Sequence, residues 1–146
     1  MRFIAHRGNI YGPDPSLENS PSYIDKALSL GFDVEIDVWV IQFQIYLGHD
    51  EPQYKTNLKF LLQKNLWCHA KNLDALEMLL ENNVHCFVHD TDMATLTSKN
   101  FVWTFPGEYH IKNSVCVMPE RNSVVRGEFL GVCSDYVYWW RLVYLI

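Results

Sequence analysis

The chain has 146 residues, 49% hydrophobic and 20% charged, with a net charge of −5. That length suits a single domain, residues 1–146, with one core of ordinary size, and the apolar fraction excludes a disordered chain. The acidic balance and the lack of any Lys/Arg cluster exclude nucleic acid and anionic membranes as partners of the whole molecule, so an anionic ligand would need local positive charge or a metal ion.

Short β-branched or aromatic runs bounded by Gly, Pro, Asn or Asp predict strands, and most end in polar residues. Met1–Ala5 leads to His6-Arg7-Gly8. Ser20-Pro21 then opens a helix, with Ile24, Ala27 and Leu28 on one face and Gly31 as its stop. Phe32–Ile36 is a strand carrying Glu35 and running on to Asp37, and Gln44–Leu47 leads to Gly48-His49-Asp50. A weaker helix, Lys59–Lys64, is entered from Thr56-Asn57. Leu66–Cys68 leads to His69-Ala70-Lys71. Leu73, Leu76, Leu79 and Leu80 make a helical stripe closed by Asn82-Asn83. Val84–Val88, Phe101–Thr104, Val115–Met118 and Gly131–Cys133 complete the strands, the last leading to Ser134-Asp135. The tail, residues 136–146, is apolar but too short to span a bilayer, which needs about 20 residues.

Strands alternating with helices, with chemistry at the strand C-terminal ends, predict an α/β fold: a reduced or incomplete TIM-type (β/α) barrel with its active site at that end. A full barrel takes about 250 residues, so outer helices should be missing from the second half. The apolar tail would cover those bare strands, or a second subunit would, giving a homodimer. A flavodoxin-like sheet is the alternative. The N-terminal segment lacks the apolar run of a secretory signal. The four cysteines form no CxxC pair. Buried thiols in a cytoplasmic protein are expected, with a zinc site of Cys68, His69, Cys86 and His89 as the alternative.

Glu35 and Asp37 are two apart, so on a strand they share a face. Two crowded carboxylates repel unless a cation lies between them, and their oxygens suit Mg²⁺ or Ca²⁺. The competing reading wets the acids and turns Val34, Ile36 and Val38 inward. His6 and His49 each end an apolar strand and can exchange a proton near neutral pH. Arg7 could fork onto phosphate oxygens. His89, Asp90 and Asp92 could position substrate or be structural. Trp103, Trp139 and Trp140 could wall a site or pack.

Taken in order, His6-Arg7-Gly8, Glu18-Asn19-Ser20, Glu35-x-Asp37 and His49-Asp50 resemble the N-terminal signature of glycerophosphodiester phosphodiesterases. Those barrel enzymes are related to the phosphatidylinositol-specific phospholipases C and the spider-venom phospholipases D. The motifs span roughly residues 3–50, while Leu66–Lys71 and Ser134-Asp135 resemble later family strands.

The resemblance implies a phosphodiester hydrolase acting on a small glycerophosphodiester-like molecule. His6 and His49 would be the acid/base pair, Arg7 and Lys71 the phosphate-binding residues, and Glu35 and Asp37 the metal ligands. Glu18 is a further candidate near the metal. A substrate hydroxyl would attack phosphorus, giving a cyclic phosphate that water opens. His69 stands where the family has an acid, so the third ligand is open and preference moves from Mg²⁺ or Ca²⁺ toward Mn²⁺ or Zn²⁺. That departure keeps two other readings in view: a phospho-ligand-binding relative without turnover, and a lyase that releases the cyclic phosphate.

Overall fold

The computed structural model describes residues 1–122 and 125–146. In chain order its elements are β1 (Arg2–His6), α1 (Pro21–Ser29), β2 (Asp33–Ile41), β3 (Gln44–Leu47), β4 (Tyr54–Thr56), α2 (Leu58–Leu61), β5 (Leu66–Ala70) and α3 (Leu73–Glu81). The second half adds β6 (Cys86–Phe87), β7 (Ala94–Leu96), β8 (Val102–Thr104), β9 (Ser114–Val117), a 3₁₀ turn at Pro119–Arg121, β10 (Gly131–Ser134) and α4 (Val137–Leu145).

Parallel pairing runs β6-β5-β2-β1-β10-β9-β8. β7 pairs antiparallel with β8, while β3 and β4 form an antiparallel ribbon on β2. The sheet curls until its two ends approach. The Phe87 and Trp103 rings stack with centroids 4.5 Å apart, and Ser98 N donates to the Cys86 carbonyl at 2.8 Å. The result is a mixed α/β fold with a partial barrel.

Alternation along the strands sorts the core into two layers. Ile4, Trp67, Phe87, Trp103, Val115 and Cys133 pack together on the concave side. Ala5, Val34, Ile36, Val38, Cys68 and Ala70 belong to a second cluster that includes Ile24 and Ala27 of α1 and Ala75 and Leu79 of α3. Each fully buried Val or Ile there contributes about 1.5–3 kcal/mol relative to an exposed one.

β2 organises the functional end. Successive carbonyls of a strand point to opposite edges. Glu35 O accepts from Arg7 N (2.9 Å) and Asp37 O from Gly48 N (3.2 Å), so β1 and β3 follow one another along one edge. Val38 O, on the other edge, accepts from Lys71 N at 2.8 Å. Three polar segments therefore converge on the C-terminal half of one strand.

Several expectations are corrected here. Gln44–Leu47 is a strand, but it reverses direction as a hairpin partner of β2 and is not part of the parallel set. Lys59–Lys64 shrinks to the single turn α2, capped by Asn57 Oδ1 accepting from Phe60 N. The leucine stripe is only partly the buried face of α3: Ala75 and Leu79 are buried, while Leu73 and Leu80 are exposed. Ser20 precedes α1 without making a side-chain cap. Cys68 lies in the outer cluster while His69, one residue on, faces the barrel, so the four-residue zinc site does not assemble. All four thiols are free and buried.

The second half lacks outer α-helices among the described residues until the tail. The tail is itself a helix, α4, lying against β1 and β10. Its Tyr144 ring meets Phe3 (6.5 Å) and Phe129 (6.0 Å), covering part of the bare strands. None of the described helices is long and apolar enough to cross a membrane.

Candidate active site

Both faces of β2 are buried, so the choice between wet acids and inward valines is not the one the chain makes. Val34, Ile36 and Val38 have no solvent exposure, and Glu35 and Asp37 are 2% and 1% exposed. Two buried carboxylates on one face need compensation.

That compensation comes from the strand ends around them. Asp37 Oδ2 is 3.3 Å from Arg7 Nε and 3.4 Å from His49 Nδ1, and it accepts from Asn19 Nδ2 at 2.9 Å. Its Oδ1 is 3.3 Å from His69 Nδ1 and 3.9 Å from Lys71 Nζ. Glu35 Oε2 lies 3.9 Å from His6 Nε2, and Oε1 lies 3.8 Å from His69 Nδ1. Burial alone raises both acids. For Asp37 the donor and cationic groups around it, the Arg7 guanidinium among them, outweigh burial and hold the carboxyl below the usual range; Glu35, facing the charge of Asp37, is left raised.

Each imidazole has an orienting partner. His6 Nδ1 is 2.7 Å from Asp135 Oδ1. A carboxylate only accepts, so His6 donates from Nδ1 and turns Nε2 toward Glu35. Burial would lower the pKa of His6, but the Asp135 bond and the charge of Glu35 raise it above the ordinary value. His49 Nδ1 is 2.7 Å from Arg7 Nη2, a group that only donates. Nδ1 is therefore the acceptor, and the neutral ring carries its proton on Nε2, 3.6 Å from Asp50 Oδ1. His69 Nε2 is 2.9 Å from the His89 carbonyl and donates to it.

With Nε2–H committed to the His89 carbonyl, His69 Nδ1 faces two carboxylates, where it donates a proton to Asp37 or offers a lone pair to a cation held between them. One ligand atom from each of Glu35, Asp37 and His69 lies within 4.8 Å of the others. Three electron-rich atoms turned on one point suit a divalent cation, and the His89 carbonyl holds the ring as an outer partner holds a ligating histidine.

The structure thus brings together every residue singled out for the site: His6, Arg7, Glu18, Glu35, Asp37, His49, His69 and Lys71. Arg7 has a role beyond the expected one. Its Nη1 donates to Glu18 Oε2 at 3.1 Å while Nη2 holds His49, so it cross-links the site. Sequence reasoning missed Asn9, whose Nδ2 spans Glu18 and Asp135, and Asn19, which bonds the Asp37 carboxylate and amide. Asp135 had two signals, its place directly after the last strand and the resemblance of Ser134-Asp135 to a later family strand. Arg121, on the 3₁₀ turn, lines the cleft over both histidines and carried no sequence signal. Of the other candidates, Trp103 is buried inside the barrel and Trp139 is exposed on α4, while His89 Nε2 donates to the Asp92 carbonyl at 2.7 Å.

Neither a protein-family model, nor a curated protein, nor a solved structure matches the chain.

Proposed function

We propose that this chain is a divalent-metal-dependent phosphodiesterase of the glycerophosphodiester phosphodiesterase type, on a reduced TIM-type barrel. One observation carries the reading. Two histidines flank a buried carboxylate pair, and each ring is held by a different partner, His6 by Asp135 and His49 by Arg7. A binding site needs no such pair of oriented proton carriers, whereas cleavage of a P–O ester needs one group to take a proton and another to give one.

Glu35, Asp37 and His69 would hold the ion, which when bound supplies charge opposite the phosphoryl oxygens. Mixed carboxylate and imidazole donors favour Mn²⁺ or Zn²⁺ more than a purely acidic set would, with Mg²⁺ still accommodated. His6, its imidazolium favoured by Asp135 and Glu35, is the proton donor to the leaving alcohol. His49 receives the proton of the attacking hydroxyl once Nδ1 exchanges Arg7 for substrate or the ring turns. Lys71 adds positive charge beside Asp37. An internal hydroxyl as nucleophile gives a cyclic phosphate, and phosphorus-31 NMR of the product separates lyase from hydrolase. The buried free thiols fit a cytoplasmic setting, and the exposed Trp139, Val143 and Leu145 of α4 fit a homodimer, which light scattering tests.

The decisive assay compares metal-loaded with EDTA-treated protein on bis(p-nitrophenyl) phosphate and glycerophosphocholine. Loss of turnover on chelation, with recovery on adding Mn²⁺ or Mg²⁺, is expected. Equal rates with and without metal would sink the mechanism, and ligand-induced stabilisation without any product would favour a binding protein.

A further inference from the structure

A cavity of about 410 Å³ opens at the end of the barrel opposite the paired histidines. It lies where parallel strands begin: Arg2 starts β1, Leu66 starts β5, and His85 and Phe101 directly precede β6 and β8. Three of the chain's 12 Lys and Arg border it, namely Arg2, Lys64 and Lys99, and among the described residues none of the 17 Asp and Glu does. In a chain of net charge −5 that is a local reversal of sign.

These cations are unequal. Asp33, outside the lining, pairs with Arg2 at 3.1 Å, and the same Oδ2 accepts from Trp67 Nε1 at 3.1 Å. Lys64 and Lys99 form no ion pair among the described residues, Lys99 Nζ donating to Asn83 Oδ1 instead. Two positive charges are left unmatched. The turn that carries Lys99 is nevertheless firmly built. Ser98 Oγ donates to the Val84 carbonyl (3.2 Å) and accepts from Cys86 N (2.9 Å). Thr97 Oγ1 accepts from Phe101 N at 3.2 Å and bonds His85 Nε2 at 2.8 Å. Burial, with the charges of Lys99 and Arg2, pushes His85 down to about 4, so at neutral pH its ring adds surface without charge. The half-buried Phe101 and the exposed Leu62 supply apolar wall.

We infer that this cavity is a second ligand site, separate from the one around His6 and His49, and that it takes a small phosphomonoester dianion with an aromatic alcohol group. Two unmatched ammonium groups suit two negative charges. A phosphomonoester carries about two on one group, together with three strong acceptor oxygens. A diester carries only one and would leave one lysine unanswered. The volume is that of a small-molecule site, and an aromatic group laid on Phe101 and Leu62 would take their apolar surface out of water.

The inference does not rest on the phosphodiesterase reading, and its test is read at this end of the barrel. The Trp67 indole N–H shares Asp33 with Arg2, so its proton–nitrogen NMR resonance reports an anion drawn to Arg2. Purified protein is titrated with phenyl phosphate, methyl phosphate and succinate while that resonance and the heat of binding are followed. Phenyl phosphate is expected to shift the resonance saturably, with methyl phosphate about fivefold weaker and succinate weaker still. Lys64→Gln and Lys99→Gln should each raise the Kd for phenyl phosphate about tenfold. Both lysines are exposed, so these variants should melt as the parent does. His49→Gln should leave that Kd unchanged, because His49 lies at the other end of the barrel. Failure to saturate, an unchanged Kd in either lysine variant, or loss of the shift in His49→Gln overturns the site. Succinate binding as tightly as methyl phosphate overturns the phosphate assignment, and equal affinity for methyl and phenyl phosphate overturns the aromatic one.

Discussion

His6 and Asp135 lie 129 positions apart, yet Nδ1 of one is 2.7 Å from Oδ1 of the other. The contact exists because β1 and β10 are parallel neighbours, with Ala5 in register with Ser134. It joins the first strand end to the last and fixes which ring nitrogen faces the carboxylates. The candidate acid/base residue is therefore oriented by closure of the sheet, not by its own loop.

Replacing Asp135 with Asn tests that dependence. Loss of the charge favours neutral imidazole, so the raised pKa of His6 should fall. With His6 acting as acid, the alkaline limb of the rate profile should move to lower pH, and kcat should drop by about 10²–10⁴. Circular dichroism should show the fold retained. An alkaline limb that stays in place would remove His6 from the acid role.

A second expectation concerns the carboxylate pair. Glu35 is buried beside Asp37, and its raised pKa reports that burial and that repulsion. Glu35→Gln keeps the shape and removes one charge. Metal-free protein should gain about 1–2 kcal/mol, while the rise in melting temperature on adding Mn²⁺ should shrink or vanish. Scanning calorimetry with and without the ion measures both. A variant that binds and is stabilised by Mn²⁺ as the parent is would exclude Glu35 as a ligand.

Much of this site was legible because its parts lie at strand ends in a fixed order, and strand periodicity put Glu35 and Asp37 on one face. The same logic failed where pairing is decided by tertiary structure. Nothing in Gln44–Leu47 says that it turns back on β2, since an antiparallel hairpin strand and a parallel strand share one local pattern. Asn9 and Asn19 carried no role in the sequence because their partners, Asp135 and Asp37, become neighbours only after folding. Tyr54–Thr56 and Ala94–Leu96 are three residues each, too short for periodicity to register. Arg121 follows a strand by a turn whose direction is set by Glu120 reaching β10.

Acid sensitivity should arise partly at the far end of the barrel. Burial, with the charges of Lys99 and Arg2, pushes His85 down to about 4. Between pH 6.5 and that value the unfolded chain binds a proton that the folded chain refuses, so this stability is present above pH 6.5 and is lost as pH falls toward 4. Because the ring is partly exposed, screening reduces the effect to about 1 kcal/mol. His85→Gln, which can still reach Thr97 Oγ1, should flatten the slope of stability against pH in urea titrations. Parallel slopes for parent and variant would place the acid sensitivity elsewhere.

His49 depends on a backbone that only glycine tolerates. Gly48 has φ +153°, and a Cβ there would lie 2.0 Å from the Glu51 carbonyl oxygen. That contact cannot be relieved by a side-chain rotation, since the obstacle is backbone. The Gly48 carbonyl also accepts from Trp39 Nε1 at 2.7 Å, and its N–H reaches Asp37 O, so the loop is pinned to β2 on both sides. Gly48→Ala should therefore cost about 1–3 kcal/mol and displace His49 from Arg7. Displacement of about 1 Å at a catalytic group is worth about 10² in rate, so kcat should fall well beyond any loss of folded protein. Measuring kcat per folded molecule, with melting temperature alongside, separates the two effects. A variant that melts lower yet turns over at the parental rate would show that His49 is not held by this turn.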